Sequence, residues 1–98
     1  MRVIAKSTLR EFWARHPQAE VPLRTWYVAV NRVTWKGPAD IKAMFGRNVD
    51  FIRDNRIIFD IGGNKYRLIV HVDYPYARVL IKFVGTHADY DKINPETV

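Results

Sequence analysis

Residues 55–91 read NRIIFDIGGNKYRLIVHVDYPYARVLIKFVGTHADYD, and this stretch decides the fold. Apolar runs stand on both sides of Gly62-Gly63-Asn64, which is typical of two strands joined by a hairpin, because Gly and Asn tolerate positive φ. Tyr74-Pro75-Tyr76 predicts a second turn. We therefore predict strands at 56–61, 65–73 and 77–84, followed by a short helical turn at 88–92.

The chain before this stretch has helical periodicity. Leu9, Phe12 and Trp13 are spaced i, i+3, i+4, which predicts a helix with one apolar face, capped by Ser7. A second helix is predicted over 22–34, beginning at Pro22. Shorter elements are predicted at 2–5 (strand), 39–45 (helix) and 51–53 (strand). The order predicts an α+β fold in one domain, residues 1–98: a short N-terminal strand and a helical hairpin packed on an antiparallel sheet.

Composition limits the function classes. A chain of 98 residues has room for one core, and with no Cys it has neither disulfides nor thiolate metal sites. No long uncharged apolar run is present, so we expect no membrane partner and a cytoplasmic location. The net charge is +6, and the excess lies in residues 1–56, with eleven Lys/Arg against five acids. This charge indicates a polyanion or an acidic protein as partner, or it serves solubility alone.

The strand faces predict where the basic residues lie. Alternation places Lys65, Arg67, Ile69, His71 and Asp73 on one face of their strand, and Tyr66, Leu68, Val70 and Val72 in the core. In the next strand it places Val79, Ile81 and Phe83 on one face, and Arg78, Leu80, Lys82 and Val84 on the other. Arg67 and Lys82 are therefore expected on one solvated surface. Trp35 lies outside the helical stripes, either as a lid on the core or as a contact for RNA or a partner.

Cutting RNA without a metal needs a base, cations for the phosphate and an acid for the leaving oxygen. His87 can serve as acid or base, Tyr90 can stack or donate a proton, and Arg67 suits a phosphate. Each also has a plainer interpretation: an exposed or capping histidine, a packing tyrosine, a solvated strand cation. His16, His71 and His87 are spread along the chain, so no metal site and no cofactor are predicted.

The segments GGNKYRL (62–68) and THADYD (86–91) together resemble the HigB-type toxins of bacterial toxin–antitoxin pairs, within the RelE superfamily. The resemblance implies an endoribonuclease that cleaves mRNA, typically on the ribosome, and a helix-turn-helix antitoxin as partner. It implies a catalytic set of His87, Arg67, Lys82 and Tyr90. Asn64 and Lys65 are also carried over, and we assign them to RNA binding. His71 is added from its place on the Arg67 face, and its plainer interpretation is a histidine on the sheet surface.

Two other classes remain open at this level. One is a module that binds RNA or the ribosome without cutting. The other is a protein-interaction domain whose basic half binds an acidic partner. Loss of growth arrest in His87→Ala separates the nuclease from both, and salt-dependent RNA retention separates the two binding classes.

Overall fold

The computed structural model describes the whole chain, residues 1–98, as helices packed on a five-stranded sheet. The elements in chain order are β1 (Arg2–Ile4), α1 (Lys6–Arg15), a 3-10 turn (Pro17–Ala19), α2 (Glu20–Asn31), α3 (Pro38–Phe45), a second 3-10 turn (Gly46–Asn48), β2 (Val49–Phe51), β3 (Arg56–Ile61), β4 (Tyr66–Asp73), β5 (Arg78–Thr86) and α4 (His87–Tyr90). The predicted α+β class and the three long strands are confirmed.

The strands from Val49 onward, β2 to β5, form the predicted antiparallel sheet, and β1 adds a parallel edge strand, so the complete sheet is mixed. Its strand order is β1-β5-β4-β3-β2, and all pairs are antiparallel except β1 with β5, where Arg2 pairs with Arg78 and Ile4 with Leu80. Short hairpins force β2 to β5 into antiparallel pairs. β1 is separated from β5 by most of the chain, so no turn determines its direction, and it enters at the free edge of β5.

One face of the sheet carries the main core. Helices α1 and α2 cover it, and a cluster of 20 buried residues fills the space between the layers. Phe59 is fully buried at its centre, with the ring of Trp26 at 5.5 Å and that of Phe45 at 4.8 Å between centroids. Trp35 belongs to this core at 1% exposure, so the proposed contact with RNA or a partner is wrong for this residue.

The predicted starts of the elements need three corrections. α1 begins at Lys6 after Ala5, which has φ +72° and makes no side-chain cap, so Ser7 lies inside the helix instead of capping it. α2 begins at Glu20, and Pro22 is its third residue, still in the first turn, where a missing N–H costs nothing. The first strand of the C-terminal half is Val49–Phe51, before the segment 51–53 predicted for it.

The opposite face, here called the outer face, is not simply solvated. Ile58 and Ile69 pair across β3 and β4 there, and both are buried although they lie outside the main core cluster. The C-terminal segment 94–98 is attached to the start of β3, because Arg56 Nη1 donates hydrogen bonds to the carbonyl oxygens of Val98 (2.6 Å) and Pro95 (3.4 Å).

A β-bulge in β5 changes which residues face outward. Ile69 pairs with Phe83 and Val70 with Ile81, so Lys82 is an extra residue without a partner in β4. Beyond the bulge the alternation is shifted: Phe83 pairs with the outer-face residue Ile69, and Val84 pairs with the core residue Leu68. The predicted placement of Phe83 with Ile81, and of Val84 with Lys82, is therefore wrong.

Candidate functional site

The site lies where the β3–β4 loop, the end of β5 and α4 meet. The backbone N–H of His87 donates to the carbonyl oxygen of Lys65 at 3.1 Å, which ties the first residue of α4 to the loop. Gly85 makes the close approach possible, since a Cβ there would lie 2.9 Å from the Cβ of Asp89 and 2.5 Å from the ring of Phe83. A larger residue at 85 would push α4 away from the strand.

A capping box holds α4 in place. The N–H of Asp89 donates to Thr86 Oγ1 at 3.1 Å, and the N–H of Thr86 donates to Asp89 Oδ2 at 3.0 Å. Such reciprocal bonds satisfy backbone groups that the first turn leaves free. The Thr86 N–H and hydroxyl favour the ionised carboxylate and lower the pKa of Asp89 below its ordinary 3.8.

We expect Asp89→Ala to lower the free energy of unfolding by about 1 kcal/mol at neutral pH, the usual effect of losing a helix cap. The pKa of Asp89 is lowered in the folded protein, so its ionised carboxylate stabilises the fold. This contribution is complete at pH values above the ordinary pKa of 3.8 and is lost as the pH falls through the lowered pKa. Urea unfolding at a series of pH values should show the two proteins converging in acid. Asp50→Ala, at an exposed acid on β2, is the control, and an equal difference at every pH would contradict the prediction.

Arg67 is the best-ordered cation of the site. It is 9% exposed; its Nε lies 3.1 Å from Asp60 Oδ1, and its Nη1 donates to the carbonyl oxygens of Asn64 (3.2 Å) and Tyr66 (3.3 Å). Nη2 makes no hydrogen bond within the protein and is not fully enclosed, so its N–H groups are without a partner in the protein. These contacts hold the Arg67 guanidinium through Nε and Nη1. The plainer interpretation, a solvated strand cation, does not describe this residue.

Two ring side chains complete what we call the Arg–His–Tyr cluster, namely Arg67, His87 and Tyr90. The guanidinium carbon of Arg67 lies 5.7 Å from the centroid of the Tyr90 ring. The rings of His87 and Tyr90 are 6.5 Å apart and meet edge to face. Asp91 Oδ2 lies 3.2 Å from His87 Nδ1. The cluster brings together a largely buried cation, a half-exposed imidazole and a partly exposed phenol.

The loop residues take part mainly through their backbones. Asn64 has φ +78°, a left-handed turn conformation, and its carbonyl accepts from Arg67. Lys65 places its carbonyl against His87, while its own side chain is exposed. Both predicted residues therefore border the cluster, and the side chains of both are exposed to solvent.

Two predicted residues lie apart from the cluster. His71 pairs with Leu80 and Arg56, and at four residues from Arg67 along β4 it stands about 13 Å away. Lys82 is exposed at the bulge in β5. Arg67 pairs with Gly85 in that strand, and Lys82 lies three residues before Gly85, a distance of about 10 Å along the strand. Because Arg67 is buried, the expected solvated surface shared by Arg67 and Lys82 is not present.

The sequence analysis did not identify four residues that support the cluster, namely Asp60, Thr86, Asp89 and Asp91. The pattern Thr86-His87-Ala88-Asp89 is the signature of a capping box, and Asp91 stands four residues after His87, within reach on a helix. Asp60 could have been found from the hairpin, because a loop of 62–65 pairs Ile61 with Tyr66 and so Asp60 with Arg67.

No group of three or more His, Asp or Glu side chains is placed so that it could hold a metal ion. None of the helices has the length and apolar character needed to cross a membrane.

Helices packed on a five-stranded mixed sheet are consistent with the RelE-like α+β fold that the sequence resemblance implied. A family model described as HigB_toxin, RelE-like toxic component of a toxin-antitoxin system, matches residues 19–93, and the chain belongs to that family. The chain is 26% identical over 94 residues to "mRNA interferase HigB" of Escherichia coli O6:H1, which covers 95% of this chain and 91% of the relative. It is 27% identical over 92 residues to "mRNA interferase toxin HigB" of Escherichia coli K12, covering 93% and 88%.

Proposed function

We propose that residues 1–98 act as one toxin domain, a metal-independent endoribonuclease that cleaves mRNA. The observation that carries the proposal is the Arg–His–Tyr cluster, where a guanidinium, a phenol and an imidazole converge at one end of the sheet. The relatives named mRNA interferases support the substrate. Cleavage on the ribosome, which the resemblance implies, stays a prediction.

The proposed chemistry uses only these side chains. His87 takes the proton of the ribose 2′-OH, whose oxygen attacks the adjacent phosphorus. The N–H groups of Arg67 Nη2 bind the phosphate and stabilise the charge that develops on it. Tyr90 lies close to both residues and either stacks on a base or donates a proton to the leaving 5′-oxygen.

The remaining basic residues are proposed to bind the RNA beside the reacting phosphate. Lys65 borders the cluster and attracts phosphate from its rim. Lys82 and His71 lie about 10 and 13 Å along the strands, so we assign them to flanking nucleotides. This assignment moves Lys82 from the catalytic set to the binding set.

Fragment ends test this reaction. Purified protein incubated with mRNA, with and without ribosomes, should release 5′ fragments that end in a 2′,3′-cyclic phosphate or in the 3′-phosphate derived from it. Cleavage of ribosome-free RNA should continue when a chelator is added. Cleavage of ribosome-bound RNA should also continue, at chelator concentrations that leave the ribosome intact. Fragments with 3′-hydroxyl ends would contradict the mechanism. Salt-sensitive RNA binding without any cleavage would favour the non-catalytic module.

We also propose where the antitoxin binds. A cavity of about 180 Å³ between α1 and α2 is lined by Lys6, Trp13, Arg24, Tyr27 and Val28. It adjoins a depression of about 430 Å³ along α2, with which it shares Arg24 and Val28. Val28 is 44% exposed, and cations lie over both aromatic walls, Lys6 over Tyr27 and Arg24 over Trp13. This basic and apolar groove suits an acidic amphipathic helix.

We expect Arg24→Glu to slow association with the antitoxin by about tenfold at low salt, because electrostatic attraction raises the rate of encounter. Stopped-flow or surface-based kinetics at low and high salt would measure this. Arg15→Glu makes the same change of charge on the opposite side of α1 and is the control. Equal effects of the two variants would show that only net charge matters. That the antitoxin is a helix-turn-helix protein stays a prediction, which the adjacent open reading frame would test.

A further inference from the structure

His87 is held at both its backbone and one nitrogen of its ring. Its N–H donates to Lys65, and its carbonyl oxygen accepts from the N–H of Asp91 at 3.1 Å. The side chain of Asp91 also contacts His87, with Oδ2 3.2 Å from His87 Nδ1. The imidazole is half-exposed, and its other nitrogen, Nε2, makes no hydrogen bond to the protein.

The chemistry of the carboxylate determines which nitrogen carries the proton. An ionised Asp only accepts hydrogen bonds, so Nδ1 must donate to it. In the neutral ring Nε2 then has no proton and presents its lone pair to solvent, on the side of the ring that is open. A free imidazole exchanges between its two tautomers, whereas this contact selects one of them.

We propose that Asp91 is a positioning residue that holds His87 in the tautomer with Nε2 as the base. This inference rests on the proposed function. The 2′-oxygen bonds to phosphorus as the bond from phosphorus to the 5′-oxygen breaks, and the 2′ proton goes to Nε2. The leaving oxygen takes a proton from the Tyr90 hydroxyl, which recovers one from the imidazolium through solvent. Asp91 itself touches no reacting atom.

The exposure of the pair separates this role from a structural one. The side chains of His87 and Asp91 are 50% and 61% exposed, and ion pairs so exposed contribute little to stability. Loss of Asp91 should therefore leave the fold and RNA binding nearly unchanged. It should lower the turnover rate, because fewer molecules would have a His87 ring whose Nε2 carries no proton.

The test compares Asp91→Asn with Asp91→Glu and with Asp73→Asn. Asp73 is another surface carboxylate in an ion pair, with Arg78 at 2.8 Å, at the far end of β4. We expect Asp91→Asn to reduce kcat by about 10- to 100-fold, less than loss of the base itself, with KM unchanged. Asp91→Glu should recover part of the rate, and Asp73→Asn should cleave normally. In the unmodified protein, ring ¹⁵N shifts of neutral His87 should show the proton on Nδ1, and Asp91→Asn should show a mixture.

Either arm can overturn the proposal. Cleavage by Asp91→Asn within twofold of the unmodified protein, or a rise in KM with kcat unchanged, would do so. So would ¹⁵N shifts that place the proton on Nε2 in the unmodified protein. The NMR measurement needs no RNA and is therefore independent of cleavage. If the protein had the predicted tautomer but cleaved no RNA, the proposed function would be refuted, whereas the effect of Asp91 on the tautomer would be confirmed.

Discussion

Replacing His87 with alanine is expected to lower the rate of RNA cleavage by about 10²–10⁴-fold, the usual effect of losing a positioned acid or base. His87 is half-exposed, and its backbone bonds to Lys65 and Asp91 do not need the ring. The fold and antitoxin binding should therefore remain. Single-turnover cleavage assays, circular dichroism and loss of growth arrest in cells would measure these effects.

His71→Ala is the matched comparison for His87→Ala. It removes another histidine from the same chain, about 13 Å along β4 from Arg67, where we expect only a weaker hold on RNA. His71→Ala should change KM more than kcat. If the two variants lost the same fraction of activity, or if His87→Ala cleaved normally, His87 would not be the base.

The second large effect is expected at Arg67. Arg67→Lys keeps the positive charge but lacks the planar fork that pairs with Asp60 and donates to the loop carbonyls, and that we propose also binds the phosphate. We expect cleavage to fall by about 10²–10³-fold, as when one transition-state donor is removed. The measurement is the cleavage rate at saturating RNA.

Arg67→Ala should also affect stability, unlike His87→Ala. Asp60 is 24% exposed and would lose its ionic partner, which should cost about 1–3 kcal/mol in the free energy of unfolding. The double variant Arg67→Ala with Asp60→Asn should recover part of that stability but none of the activity. Full activity in Arg67→Lys would remove Arg67 from the mechanism, and recovered activity in the double variant would show that its effect was structural.

The cluster was predictable only in part from the sequence. His87 and Tyr90 stand three residues apart in one short helix, and the GGN turn marks where the hairpin joins β4. The predicted roles of these residues stay predictions. Lys82 was placed in the catalytic set by the family resemblance, and both Lys82 and His71 were placed on the Arg67 face by strand alternation. Alternation records the face of the sheet but not the distance along it.

The sequence by itself determined the α+β class, the three long strands and the helical hairpin, because period and turn residues are local properties. Only the tertiary structure decided that β1 runs parallel to β5 and that a bulge at Lys82 shifts the faces of β5. It also decided that Arg67 is buried against Asp60. These features depend on contacts between residues distant in the chain, and a single extra residue in a ladder exchanges inward and outward positions without leaving a local sign.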